Sequence, residues 1–171
     1  KAYRLIGYEN RLLNYEDFND DKKDAGEMGA GHNVTALYEL IPAGSKEGVG
    51  SIDPLKYQDN QEKVKPDPGA ELLTVKLRYK KPDGVTSTKF EEAVKGEIKE
   101  LKSTSVSFRF SAAVAEFGLI LRDSEFKGNA SIKDVIALAQ NSRGDDAEGY
   151  RGEFIKLVNT AESLIDMRAE K

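Results

Sequence analysis

The chain has 171 residues, 26 of them basic and 30 acidic for a net charge of −4, and its charged share of 33% against an apolar share of 39% fits a well-solvated surface. A chain of this size buries roughly 70% of its unfolded surface, enough for a core in one large domain or two small ones. The absence of cysteine excludes disulfides, thiolate metal sites and cysteine nucleophiles, scattered basic residues disfavour nucleic-acid binding, and no apolar stretch approaches a membrane span, so direct membrane insertion is not expected.

The sequence opens at Lys1 with neither an initiator Met nor an apolar targeting segment, and it is expected to be cut from a longer protein. In Tyr3 to Asn10 the β-favouring Tyr3, Ile6 and Tyr8 stand among few helix formers, with apolar side chains on both faces. That pattern predicts a strand covered on both sides. A long loop over 11–31 carries Asp17, Asp20, Asp21 and Asp24, then Gly26, Gly29 and Gly31, solvating first and bending sharply afterwards. Arg11 to Phe18 has room for a helical turn. Val34, Ala36, Tyr38 and Leu40 on one face, with Leu37 and Ile41 on the other, predict a second interior strand that Pro42 ends.

Residues 43–70 are rich in Gly, Ser, Asp, Pro and Lys, with one patterned island, Ile52-Asp53-Pro54-Leu55-Lys56-Tyr57, and read as a long surface loop. Leu73, Val75, Leu77 and Tyr79 then alternate with Thr74, Lys76, Arg78 and Lys80, the cleanest period-2 signal in the chain and the mark of a strand with one wet face. Lys81-Pro82-Asp83-Gly84 predicts a turn in which Pro82 fixes φ and Gly84 takes a positive φ, leading into a weaker strand over 86–94. Phe90 to Leu101 is equally compatible with a helix.

From Ser103 the period changes. Val106, Phe110, Ala113, Val114, Phe117, Ile120 and Leu121 recur at helical spacing behind Ser or Thr caps at 103–105. Phe108, Ala112, Ala115 and Leu119 form a second apolar face, so this helix is expected to be sandwiched. Ser131 and Asp134 form a capping box ahead of Ile132, Val135, Ile136 and Ala139. A third helix is predicted to start near Asp146 to Glu148 and to carry Tyr150, Phe154, Leu157, Val158, Ala161, Leu164 and Ile165. The expected class is α+β: an antiparallel β-sheet or partial β-sandwich over 1–102, followed by a three-helix unit over 103–171 packed on it.

No residue constellation dictates a reaction, and no catalytic, cofactor-binding or metal residue is assigned. Gly26-Glu27-Met28-Gly29-Ala30-Gly31 lacks the Lys-Ser/Thr ending and leads into a strand, whereas phosphate loops need a helix N-terminus. Asp17, Asn19, Asp20, Asp21 and Asp24 offer oxygens for calcium, but Lys22 and Met28 stand where that pattern needs Gly and Glu. His32, the only histidine, has no nucleophile elbow to serve and is expected to play a structural hydrogen-bonding part at a strand entry. Asn33-Val34-Thr35 and Asn129-Ala130-Ser131 match glycosylation acceptors, the second being better explained by Ser131 as a cap.

Longer blocks carry a resemblance. Tyr3-Arg4-Leu5-Ile6-Gly7-Tyr8-Glu9-Asn10-Arg11, Glu16 to Lys22, Asp24-Ala25-Gly26-Glu27 and Gly29-Ala30-Gly31-His32 running into Val34 to Glu39 are the specific part. Asp53 to Gln58, Leu77-Arg78-Tyr79, Phe108-Arg109-Phe110 to Arg122-Asp123-Ser124, and Gly149 to Phe154 support it. Together they resemble the C-terminal region that follows the von Willebrand factor type A domain in a family of bacterial envelope proteins. In that family this region has no established activity. The adhesion motif Asp-x-Ser-x-Ser belongs to the type A domain and does not occur in this chain.

The resemblance implies a cell-envelope location and a protein partner, including the type A domain and preceding strands of its own polypeptide. The expected function is a non-enzymatic accessory and interaction module without cofactors. The alternatives are a small-ligand-binding or enzymatic domain using loops 11–31 and 43–70 as walls, or a calcium-stabilised structural domain.

Overall fold

A computed structural model describes residues 1–8, 13–23, 26–42, 45–46, 71–95 and 98–169, with side chains up to 165. Asp24, Arg11, the island at 52–57 and most of the loop over 43–70 lie outside the described residues. The chain divides into two compact units, Lys1–Ile98 and Lys99–Lys171. Two small antiparallel sheets fill the first and three helices the second, an α+β arrangement as expected.

In the first unit β1, Ala2–Ile6, pairs antiparallel with β2, Leu37–Ile41, from Ala2 opposite Ile41 to Ile6 opposite Leu37. Opposed residues share a face. Arg4 and Glu39 therefore meet on one side, where they form an ion pair at 2.5 Å, and Tyr3, Leu5, Tyr38 and Leu40 lie on the other. Tyr3 is 75% exposed and Tyr38 54%, with their rings 6.4 Å apart. The expectation of two interior strands is thus corrected: among the described residues each strand has one neighbour. Val34 and Ala36 precede β2 rather than lying in it.

Next, β3, Leu73–Tyr79, pairs antiparallel with β4, Thr88–Val94, Leu73 opposite Val94 and Tyr79 opposite Thr88. The strand option for Phe90 onward holds as far as Val94, and among the described residues between there and Thr104 the one helical element is a short 3-10 turn, Leu101–Ser103. In the connecting turn Gly84 N–H donates to the Lys81 carbonyl at 2.9 Å. The positive φ, 62°, falls on Asp83 and not on Gly84. With Pro82 at the first central position, the second central position of this type II-like turn is Asp83, one residue earlier than expected.

The faces of this hairpin invert the simple reading. Leu77 and Phe90, opposed on the apolar face, are 48% and 47% exposed, whereas the Arg78 side chain on the polar face is 15% exposed.

The second unit is built from locally capped helices. In α1, Val106–Leu121, Ser105 Oγ accepts from Phe108 N–H. The helix ends with Asp123 at φ 49°: Asp123 N–H donates to Ile120 O at 3.0 Å and Ser124 N–H to Leu119 O at 2.9 Å, a Schellman closure with an aspartate where glycine is usual. In α2, Ile132–Asn141, Ser131 Oγ accepts from Asp134 N–H at 3.2 Å, the N-cap half of the expected capping box, while the Asp134 carboxylate accepts from the Ser131 hydroxyl at 2.5 Å rather than from its backbone N–H.

The third helix, α3, runs Tyr150–Ala169. Ala113, Phe117, Val135, Ala139 and Val158 form the core, with Phe110, Ile120, Ile132, Ile136 and Phe154 packed around them. Phe154 meets Phe110 and Phe117 edge-on at 5.5 and 5.7 Å. On the second face of α1, Leu119 is buried, Ala112 and Ala115 are half-buried and Phe108 is exposed, so cover is uneven along it. No helix among the described residues is long and apolar enough to cross a membrane.

Candidate functional site

Two side-chain clusters concentrate the polar contacts, one in each unit. In the first unit the acidic loop forms a 3-10 turn, Tyr15–Asn19, overlapping the Arg11–Phe18 range expected to hold a helical turn and running one residue past it, and the residues after it reach the hairpin. Arg78 donates to the Phe18 carbonyl, to Asp21 Oδ1 and to Ser87 Oγ. Asp21 Oδ1 also accepts from the Ser87 hydroxyl at 2.5 Å and the Ser87 amide at 3.2 Å. Lys80 Nζ donates to the Asp21 carbonyl at 2.5 Å.

The Ser87 hydroxyl chiefly holds the Asp21 carboxyl below its ordinary value, against burial, with help from the Ser87 amide, Arg78 and Lys80. A carboxylate so held is a weak base, so this cluster is suited to fastening two segments rather than moving protons.

The second cluster joins α2 to α3. Gly149, at φ 78°, precedes α3 and brings no side chain to cap it. Asp146 does that work from farther upstream. Its carboxylate accepts from Arg151 N–H at 3.0 Å and Gly152 N–H at 2.7 Å, and Arg143 Nε donates to it at 3.2 Å. Glycine at 152 leaves the room, since a Cβ there would stand 3.3 Å from Asp146 Oδ2. The Asp146 side chain is 6% exposed. Burial pushes its carboxyl up, yet the two amides and Arg143 prevail and hold it below the ordinary value.

Arg151 fastens the same corner. It donates to the Ser142 carbonyl at 3.3 Å, the Arg143 carbonyl at 2.9 Å and Ser107 Oγ at 3.1 Å, and it lies over the Phe110 ring at 5.0 Å. One guanidinium from α3 thus reaches α1 and the two residues that follow α2. A groove of ≈ 810 Å³ opens beside it, lined by Gln140, Arg143, Gly149, Gly152, Glu153 and Lys156 among others. Elsewhere in the unit, burial and then the Asp134 carboxylate raise the Glu116 pKa.

The calcium candidates do not converge. Asp17 pairs with Lys23 at 3.2 Å and accepts from Asn14, Asp20 accepts from Lys22 N–H, and Asp21 is turned to Arg78 and Ser87. Among the described residues no three His, Asp or Glu side chains group as a metal site would require.

His32 lies in a turn rather than at the entry of β2. Its N–H closes onto Gly29 O at 3.1 Å, Gly31 takes φ 77°, and its ring lies where a Cβ on Gly29 would come within 2.9 Å of Nδ1. Sequence reading missed Arg78, Ser87, Asp146 and Arg151. The one signal for Asp146 was an acidic residue just ahead of a helical pattern.

The fold and these contacts define an α+β domain of two strand pairs followed by three capped helices. The chain belongs to the family described as "Uncharacterized protein YfbK, C-terminal", which it matches over residues 1–164. It is similar to "Uncharacterized protein YfbK" of Escherichia coli (strain K12), with 41% identity over 165 residues, a stretch that is 96% of this chain and 28% of that protein. The chain therefore spans little more than a quarter of that relative. No solved structure matches it.

Proposed function

We propose that this domain is a non-enzymatic accessory and protein-interaction module of an exported bacterial von Willebrand factor type A protein, acting in the cell envelope. In this reading its first partner is the rest of its own polypeptide: a type A domain and the strands that precede it. The observation that carries the reading is the distribution of the core. Among the described residues every buried apolar side chain lies in the helical unit, and none in Lys1–Ile98. Two strand pairs with apolar faces turned to solvent are marginal by themselves and gain from a covering partner. The sequence blocks shared with the family and the much greater length of the E. coli relative support the same reading.

The test compares the full-length protein with this domain alone. Light scattering and an apolar-surface dye should show the isolated domain binding dye or self-associating, and both signals should fall when the preceding part of the polypeptide is present. Affinity capture from envelope extracts then identifies external partners. A strictly monomeric isolated domain that binds no dye would overturn the proposal.

A further inference from the structure

The loop residues that meet the β3–β4 hairpin lie on it as a bound peptide would. The Phe18 ring lies close to two cations, 5.9 Å from Arg78 Cζ and 5.8 Å from Lys89 Nζ. Its carbonyl accepts from Arg78. Three residues on, a single carboxylate oxygen of Asp21 accepts from Arg78 and from both the hydroxyl and the amide of Ser87, and Lys80 holds the Asp21 carbonyl. The receiving side is drawn from the hairpin alone.

That hairpin has a reason to seek an anion. Arg78 and Lys89 are directly opposed across the strands, and like charges so placed repel. Glu91 relieves Lys89 in part, at 3.5 Å, while also serving Lys76 at 3.4 Å. The ring and the carboxylate of the loop complete the neutralisation. The attachment is polar and partly wet, with the Asp21 side chain 39% exposed, and a contact of that kind opens readily.

We infer that the polar face of the β3–β4 hairpin is a recognition site for Phe-x-x-Asp peptide segments, filled in cis by Phe18 to Asp21 and open to such a segment of a protein partner that displaces it. The tethered copy acts at an effective concentration on the order of millimolar, so the site is masked until the partner segment competes or the loop is drawn away. This surface is separate from the apolar sheet faces, and either can fail without the other.

The test uses a fluorescent peptide spanning Leu13–Lys23 and the whole chain. The variant Phe18→Ala/Asp21→Ala empties the site and is expected to bind the peptide at least about tenfold more tightly than the wild type, in proportion to the freed fraction. Adding Arg78→Ala to that variant should abolish binding. Equal affinity of variant and wild type, or binding that survives Arg78→Ala, overturns the inference. If the double variant loses its β-sheet circular dichroism, the wild type decides instead: unlabelled peptide at millimolar concentration must shift the amide resonances of the chain's own Phe18 and Asp21 as that segment is displaced, and unmoved resonances overturn the inference.

Discussion

Replacing Arg151 by Ala tests whether one side chain holds the helical corner together. It removes two charge-assisted bonds to the Ser142 and Arg143 carbonyls just past the C-terminus of α2, a bond to Ser107 and the cation over Phe110. The cation at a helix C-terminus contributes about 0.3–1 kcal/mol and the aromatic contact about 0.5–1 kcal/mol. The hydrogen bonds, one part-buried and two exposed, together add on the order of 1 kcal/mol. The sum is a loss of about 2–3 kcal/mol, which lowers a urea midpoint followed by far-ultraviolet circular dichroism by roughly 1 M.

Arg151→Lys keeps the charge but not the planar fork that reaches α1 and the residues just past α2 together, so about half the loss should remain. A double-mutant cycle with Ser107→Ala should show a coupling of about 0.5–1 kcal/mol. An Arg151→Ala protein within about 0.5 kcal/mol of wild type would refute the reasoning.

Three further outcomes follow from the same geometry. The Asp146 carboxyl is held below its ordinary value of 3.8, so its stabilisation is complete above that pH and disappears as the pH falls through the lower folded value. Asp146→Asn should therefore be less stable than wild type at neutral pH, and the gap should close in urea titrations carried down through the acid range. Asp83→Gly relieves a positive φ at the β3–β4 turn but loosens the unfolded chain, for a net gain of about 0.5 kcal/mol in unfolding free energy, read from a rise in the urea midpoint. Val158→Ala empties a fully buried position in the helical core and should cost about 2 kcal/mol by denaturant melt.

The helices were legible because their signals are local. Ser105 and Ser131 cap where sequence placed them, and a 3.6-residue apolar period marks the face that packs. The strands were legible as strands but not in their surroundings. Apolar residues on both faces of Tyr3 to Tyr8 suggested an interior strand, yet the face bearing Tyr3 and Tyr38 is turned to solvent. Alternation at 73–80 gave the right strand, but no periodic signal could reveal that Arg78, on the polar face, would be covered by a partner 57 residues earlier in the chain. Asp146 shows a third kind of gap. An acidic residue did mark the beginning of α3, but the helix begins at Tyr150 because Gly149 turns the chain and lets that carboxylate cap from outside.

The contrast between nested helices and distant strand partners also bears on the order in which the domain assembles. In the helical unit α1 packs on α2 and α2 on α3, helices that are neighbours in the chain, and each cap is formed by residues already close in sequence. Pairing β1 with β2 must first close the whole segment from Gly7 to Ala36, at an entropic cost that local contacts do not carry. Folding rates rise as contacts become more local. The helices and the β3–β4 hairpin are therefore expected to form early, while β1 and β2 are still seeking their register.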